Sequence, residues 1–170
     1  MSLRRDRRLL GMWAALLAAV VVGLDQVSKA LVIQHLNPAT GPGQIEVVGN
    51  WLRLSYTTNT GAAFGMFPGM TLFFTIVALL AIPAMIIFQR YLPANAWPAW
   101  ISIGLMLGGT IGNLLDRLRF GNVIDFIDAG IGNLRWYTFN VADASMVIGV
   151  LILAGYILLF SETPSADHAA

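Results

Sequence analysis

Four apolar runs organise the chain, at about 9–30, 70–88, 99–115 and 142–160. Each comes close to the roughly 20 residues that a helix needs to cross a hydrocarbon layer of about 30 Å. They are nearly uninterrupted, without the one-sided stripe of a soluble amphipathic helix. The pattern predicts an α-helical integral membrane protein with four transmembrane helices in one domain over residues 1–170. The outer segment, about 36–69, reads differently. In E-V-V-G-N-W-L-R-L-S-Y-T-T, β-branched and aromatic residues partly alternate with polar ones, and Gly49-Asn50 supplies a turn signal. A small sheet at the membrane interface is expected there. It leads into N-T-G-A-A-F from Asn59, whose small residues allow close backbone approach, as a substrate cradle or as a tight turn before the second span.

Counting spans places the polar residues without fixing an orientation. Asp25 lies late in the first span, Asp116 ends the third and Asp143 heads the fourth, so all three share one membrane face. The connection carrying Asp125 and Asp128 is on that face as well, and so is the segment 36–69. Arg4, Arg5, Arg7 and Arg8 precede the first span and put the N-terminus in the cytoplasm. The first span shows no small-residue cleavage site and reads as uncleaved. Both termini are then cytoplasmic and the acidic face is extracytoplasmic. Trp97 and Trp100 fit an inner aromatic belt, and Trp136 and Tyr137 an outer one.

Composition agrees with the membrane reading: 57% of residues are hydrophobic and only 11% charged. The net charge of +1 gives no basis for binding nucleic acid. With no cysteine, the chain has no thiolate nucleophile or thiolate metal site. His35 and His168 are the only histidines, no H-E-x-x-H zinc motif is present, and no G-x-S-x-G elbow supports a Ser-His protease. Neither a metal nor another cofactor is implied, and no obligate protein partner is evident.

The remaining candidate chemistry sits on the spans. Gly104, Gly108 and Gly112 recur every four residues in the third span and form a strip for helix packing. Gly109, Asn113, Asp116 and Arg117 lie on another side that faces the bundle interior. Asn113 and Arg117, four residues apart, can reach one backbone or one carboxylate, or form a structural cluster. In the first span Asp25 and Lys29 have the spacing of an intrahelical ion pair. Lys29 is the only lysine, which leaves a Ser-Lys hydrolase as a rival; Ser28, its sequence neighbour, does not face it, and Ser55 or Ser145 would be the nucleophile. Two aspartates sharing one proton across a water are the further option. A small proton-coupled transporter would also use buried aspartates, but its polar path should continue across the membrane, whereas the acidic residues here crowd one face.

Five short motifs in order go further: D-Q-V-S-K from Asp25, N-T-G-A-A-F from Asn59, G-G-T-I-G-N-L-L-D-R from Gly108, V-I-D-F from Val123 and F-N-V-A-D from Phe139. Together they resemble bacterial lipoprotein signal peptidase, the type II signal peptidase. The resemblance implies a multi-pass inner-membrane aspartic endopeptidase with a small extracytoplasmic β-cradle. Its partners would be membrane lipids and diacylglyceryl-modified prolipoproteins, cut before the lipidated cysteine to release the signal peptide. It implies catalytic roles for Asp125 and Asp143, with Asp128 a bystander. Asn59, Gly61, Asn113, Arg117 and Asn140 would line the site and hold substrate or carboxylates, and Asp25, Lys29 and Asp116 would support it.

Overall fold

The computed structural model of the chain describes residues 2–62 and 65–160. Phe64 of the N-T-G-A-A-F motif, and His168 with the tail from Ser161, lie outside the described residues. Helix α1 runs Ser2–Leu36, followed by strands β1 Gln44–Val48 and β2 Leu52–Asn59. Helix α2 is Thr71–Phe88, with a short 3-10 turn at Gln89–Tyr91, and α3 is Trp97–Phe120. Strands β3 Val123–Ile131 and β4 Leu134–Arg135 precede α4, Val141–Phe160. All four helices are long and apolar enough to cross a membrane, as the hydropathy pattern predicts. Helices α2 and α4 match the apolar runs within a residue, whereas α1 and α3 overrun theirs, because helix geometry continues until its hydrogen bonding is capped, not until hydropathy falls. For α1, 35 residues at about 1.5 Å each span roughly 52 Å, well beyond the hydrocarbon.

Helix α3 is the centre of the bundle and packs against α1, α2 and α4. Its glycine strip makes this possible. A Cβ on Gly104 would meet the Ala14 carbonyl oxygen of α1 at 2.8 Å, and one on Gly108 would lie 2.6 Å from Val21 Cβ. Gly109 faces α4 instead, 2.3 Å from the Ala142 carbonyl by the same measure. The expected packing strip is therefore real and faces α1, while Gly109, on its separate side, admits α4. Trp100 corrects one expectation: it is only 4% exposed and belongs to the core cluster with Ala14, Ala96 and Ile103, whereas Trp97 at 63% exposure keeps the position of a belt residue. The indole N–H of Trp100 is held by the Pro93 carbonyl at 3.1 Å, which lets the ring enter the bundle with its polar atom satisfied.

The strands form one antiparallel sheet in the order β1-β2-β3-β4. The hairpin at Gly49-Asn50 is as expected. Strand β3 is not, since the sequence reads residues 123–131 only as a connection. That strand pairs with β2, Arg53 opposite Asp128 and Asn59 opposite Val123, with an irregularity between Leu54 and Thr57. Ile124 and Phe126 of β3 pack with Val32 and Leu36 at the end of α1, which seats the sheet on the bundle. Asp125, between them in sequence, points to the other face of the strand.

Candidate active site

The site begins with how α4 starts. Asn140 precedes the helix, and its Oδ1 accepts the backbone N–H of Asp143 at 2.9 Å, while Asp143 Oδ2 accepts the Asn140 N–H at 3.3 Å. This reciprocal arrangement is a capping box, with asparagine and aspartate three residues apart. It fixes the Asp143 carboxylate at the helix head, and leaves the buried Asn140 amide nitrogen to other acceptors. That nitrogen donates to Asp125 Oδ1 at 2.7 Å. One asparagine thus orients both aspartates.

Each carboxylate has a second amide partner. Asn59 Nδ2 donates to Asp125 Oδ2 at 3.0 Å, and Asn113 Nδ2 donates to Asp143 Oδ1 at 2.7 Å. Asp125 is completely buried. Burial, followed by the negative charge of Asp143, pushes the Asp125 carboxyl up to about 7, against the opposing pull of the Asn59 and Asn140 hydrogen bonds. Tyr137 is pushed above its ordinary value too, by burial and then by Asp125 and Asp143. Two cavities flank the pair. One of about 320 Å³ is lined by Asp125, Asp143, Trp136, Tyr137 and Val147, and one of about 220 Å³ by Asp143, Asn113, Arg117, Phe74 and Ala78. Asn59 and Asp143 border both.

Beneath the pair lies a buried charged cluster. Lys29 Nζ donates to Asp25 Oδ2 and to Asp116 Oδ2, each at 2.8 Å, and to Asn113 Oδ1 at 3.1 Å. The expected Asp25–Lys29 pair is present, with Asp116 as a third member. Both carboxylates also hold backbone: Asp25 Oδ1 takes the Ala142 N–H at 3.0 Å, and Asp116 Oδ2, the oxygen that already takes Lys29, accepts the Ile124 N–H at 3.1 Å. Ala142 and Ile124 are the chain neighbours of Asp143 and Asp125. The cluster therefore ties α1 and α3 to the two backbone segments that carry the aspartates. Gly112 makes room for it, because a Cβ there would come within 2.6 Å of Asp25 Oδ2.

Arg117 and Gly61 complete the wall. Arg117 Nη2 donates to the Gly61 carbonyl at 3.0 Å, and the guanidinium stands 5.7 Å from the Phe74 ring centre. Arg117 and Asn113 do not converge on one carboxylate: Asn113 takes Asp143, and Arg117 holds the loop. Asn59 Oδ1 accepts the Gly61 N–H at 2.9 Å, so this stretch is both the tight turn and part of the site. A Cβ on Gly61 would fall 2.2 Å from the Met66 carbonyl oxygen, which excludes any other residue without backbone movement. Asp128 stands apart, paired with Arg135 at 2.7 Å.

The Ser-Lys reading finds no geometry. Ser28 and Ser145 donate to carbonyls of their own helices, and Lys29 is committed to three acceptors. Two contributors escape the sequence reading. Gln26 Nε2 donates to Asp116 Oδ1 at 2.9 Å and to Asp25 Oδ2 at 3.2 Å, with only its adjacency to Asp25 as a signal. Tyr137 lines the cavity instead of standing in a belt; its hydroxyl would lie 2.4 Å from a Cβ on Gly65, so the ring crosses the loop that leads to α2.

Four membrane-length helices beneath a small sheet, with two buried aspartates where sheet and bundle meet, define a multi-pass α-helical membrane protein with a carboxylate-centred site at one end. The sequence model of the family described as Signal peptidase (SPase) II matches residues 17–159. The protein named lipoprotein signal peptidase in Moorella thermoacetica is 41% identical over 144 residues, covering 85% of this chain and 91% of that protein. Its counterpart in Syntrophomonas wolfei is 42% identical over 147 residues, covering 86% and 92%. Two solved structures, each described as a bacterial membrane enzyme, are similar at TM-scores of 0.74 and 0.73 with 31% and 32% identity. They cover 92% and 88% of this chain and 93% and 94% of their own. The chain belongs to the signal peptidase II family and is a membrane protease.

Proposed function

We propose that the chain removes signal peptides from diacylglyceryl-modified prolipoproteins, cutting before the lipidated cysteine, and that Asp125 and Asp143 are its catalytic residues. The observation that carries this reading is the pair itself: two carboxylates on separate elements, oriented by one asparagine and bordering a shared cavity. Below about pH 7 the pair shares one proton, drawn to Asp125 by its burial and the neighbouring Asp143 charge. Asp143 then takes a proton from water as the water adds to the scissile carbonyl carbon, and Asp125 donates to the carbonyl oxygen. The resulting diol collapses as Asp143 gives its proton to the amide nitrogen, Asp125 takes one back from a diol hydroxyl and the C–N bond breaks, which restores the pair. Asn59, Asn113 and Asn140 hold the carboxylates in register, and Arg117 holds the Gly61 loop against the cleft.

The chain acts as one membrane-embedded unit of a bacterial inner membrane, with both ends cytoplasmic and the aspartates at the extracytoplasmic face. There a substrate can keep its acyl chains in lipid while its peptide reaches the cleft. The test is cleavage of purified prolipoprotein in detergent, with and without the diacylglyceryl group. Lipid-modified precursor should be cut and unmodified precursor left nearly intact. Equal turnover of the two would overturn the substrate assignment.

A further inference from the structure

At the membrane face opposite the aspartates, Arg7 and Arg8 of α1 meet Arg90 of the 3-10 turn around a cavity of about 320 Å³, walled by Gln89 and Trp100. Among the described residues none of these arginines is ion-paired with a carboxylate; Asp6 is the acid nearest in sequence. Gln89 also borders a second cavity of about 580 Å³, which runs into the bundle between α1 and α2. Its α1 wall is made of small residues, Ala15, Ala19 and Gly23 among them, and its other side of Ile86, Leu107 and Ile111. Helix α2 packs on α3 and makes little contact with α1, so the groove stays open to the side.

We propose that these two cavities, which meet at Gln89, bind one glycerophospholipid with an anionic headgroup, its phosphate among the three arginines and one acyl chain along the α1–α2 groove. Charge identifies the headgroup: three guanidiniums at an interface call for a phosphate diester that can accept paired N–H donors. Depth identifies the chain. The groove from Ala15 to Gly23 follows eight residues of helix, about 12 Å, and begins about 10 Å beyond Arg8, so it holds the distal half of an acyl chain whose headgroup sits among the arginines. Apart from Gln89 at its end the wall offers water no polar side chain, and a methylene chain fills it. Trp100, fixed by its bond to Pro93, gives the headgroup pocket a rigid side.

The test is native mass spectrometry of the full chain, released from detergent micelles containing equal phosphatidylglycerol and phosphatidylcholine. The parent should retain one phosphatidylglycerol and no phosphatidylcholine. The Arg7→Gln/Arg8→Gln/Arg90→Gln variant should lose that retention by of order tenfold or more. Ala19→Leu/Gly23→Leu keeps every charge but fills the groove, and should lose it as well. A Cβ at Gly23 meets nothing within 4 Å, so the fold can accept the larger residue. Thermal unfolding in detergent without added lipid serves as the folding control, and Arg90→Gln alone replaces the triple variant if that one unfolds. Undiminished retention by the filled groove would reduce the effect to surface charge and overturn the proposal. Equal retention of phosphatidylcholine, or displacement of the lipid by millimolar inorganic phosphate, would overturn it too.

Discussion

Asn140 and Asp143 cap one another: the Asp143 N–H reaches Asn140 Oδ1 at 2.9 Å, and the Asp143 carboxylate takes the Asn140 N–H at 3.3 Å. The same asparagine binds Asp125 at 2.7 Å, so a local helix-capping device also sets the geometry between two distant aspartates. Replacing Asn140 by Ala should cost about 1 kcal/mol of stability for the lost cap, and about 1–3 kcal/mol more for the buried acceptors that lose its amide donor. Activity should fall as well, by about a hundredfold or beyond, because a small misplacement of a reacting group has that effect. Unfolding in detergent and turnover of lipid-modified precursor, measured on the same preparation, separate the two losses.

Asp125→Asn and Asp143→Asn should each abolish cleavage while inserting and folding normally, since an amide keeps the shape but cannot exchange the proton. The double variant should be little worse than either single one, because groups acting as a unit give non-additive losses. Asp128→Asn loosens only the Arg135 contact on the sheet and should keep substantial activity. Parental rates from folded Asp143→Asn protein would refute the dyad.

The pH dependence follows from Asp125. Its folded value of about 7 is above the ordinary carboxylate value, so the folded state holds a proton that the unfolded state has released. Its contribution to stability is therefore fully present below about pH 4 and lost as pH rises through about 7. The unfolding midpoint of the parent should decline over this window, and that of Asp125→Asn should decline less. Cleavage should also fall as pH rises through about 7 and the pair loses its shared proton, with an apparent value that belongs to both aspartates together.

Lys29→Met leaves Asp25 and Asp116 buried without their cation, and should destabilise by about 3–5 kcal/mol. Adding Asp25→Asn and Asp116→Asn to it should restore part of that stability, because the uncompensated charges are gone. Thermal unfolding of the single and triple variants tests this. A triple variant less stable than the single one would show that the hydrogen bonds to Ala142 and Ile124 need charged acceptors.

Single cysteines are clean topology probes in a chain that has none. Asn95→Cys should react with a membrane-impermeant thiol reagent from the cytoplasmic side only. Gly43→Cys and Asn133→Cys should react from the opposite side only. Labelling of positions 95 and 133 from the same side would rule out the four-span arrangement.

The four spans, the acidic face and the glycine strip of α3 were legible in the chain because each is a property of composition or of helical period. Membrane insertion acts on runs of apolar residues, and side chains four apart share a helix face wherever that helix is placed. The intrahelical Asp25–Lys29 pair was readable for the same reason, and the ordered motifs carried Asp125 and Asp143. Strand β3 was not legible, since its pairing with β2 joins segments more than sixty residues apart and local alternation there is weak. Nor could hydropathy exclude Trp100 from the aromatic belt, because burial depends on what packs beside it. Only the tertiary structure decided that Lys29 bridges to Asp116, that Arg117 turns to Gly61 and away from a carboxylate, and that Gln26 and Tyr137 join the site. Hydrogen bonds and ion pairs act over about 3 Å, so their partners are chosen by how elements meet in space, which no spacing along the chain records.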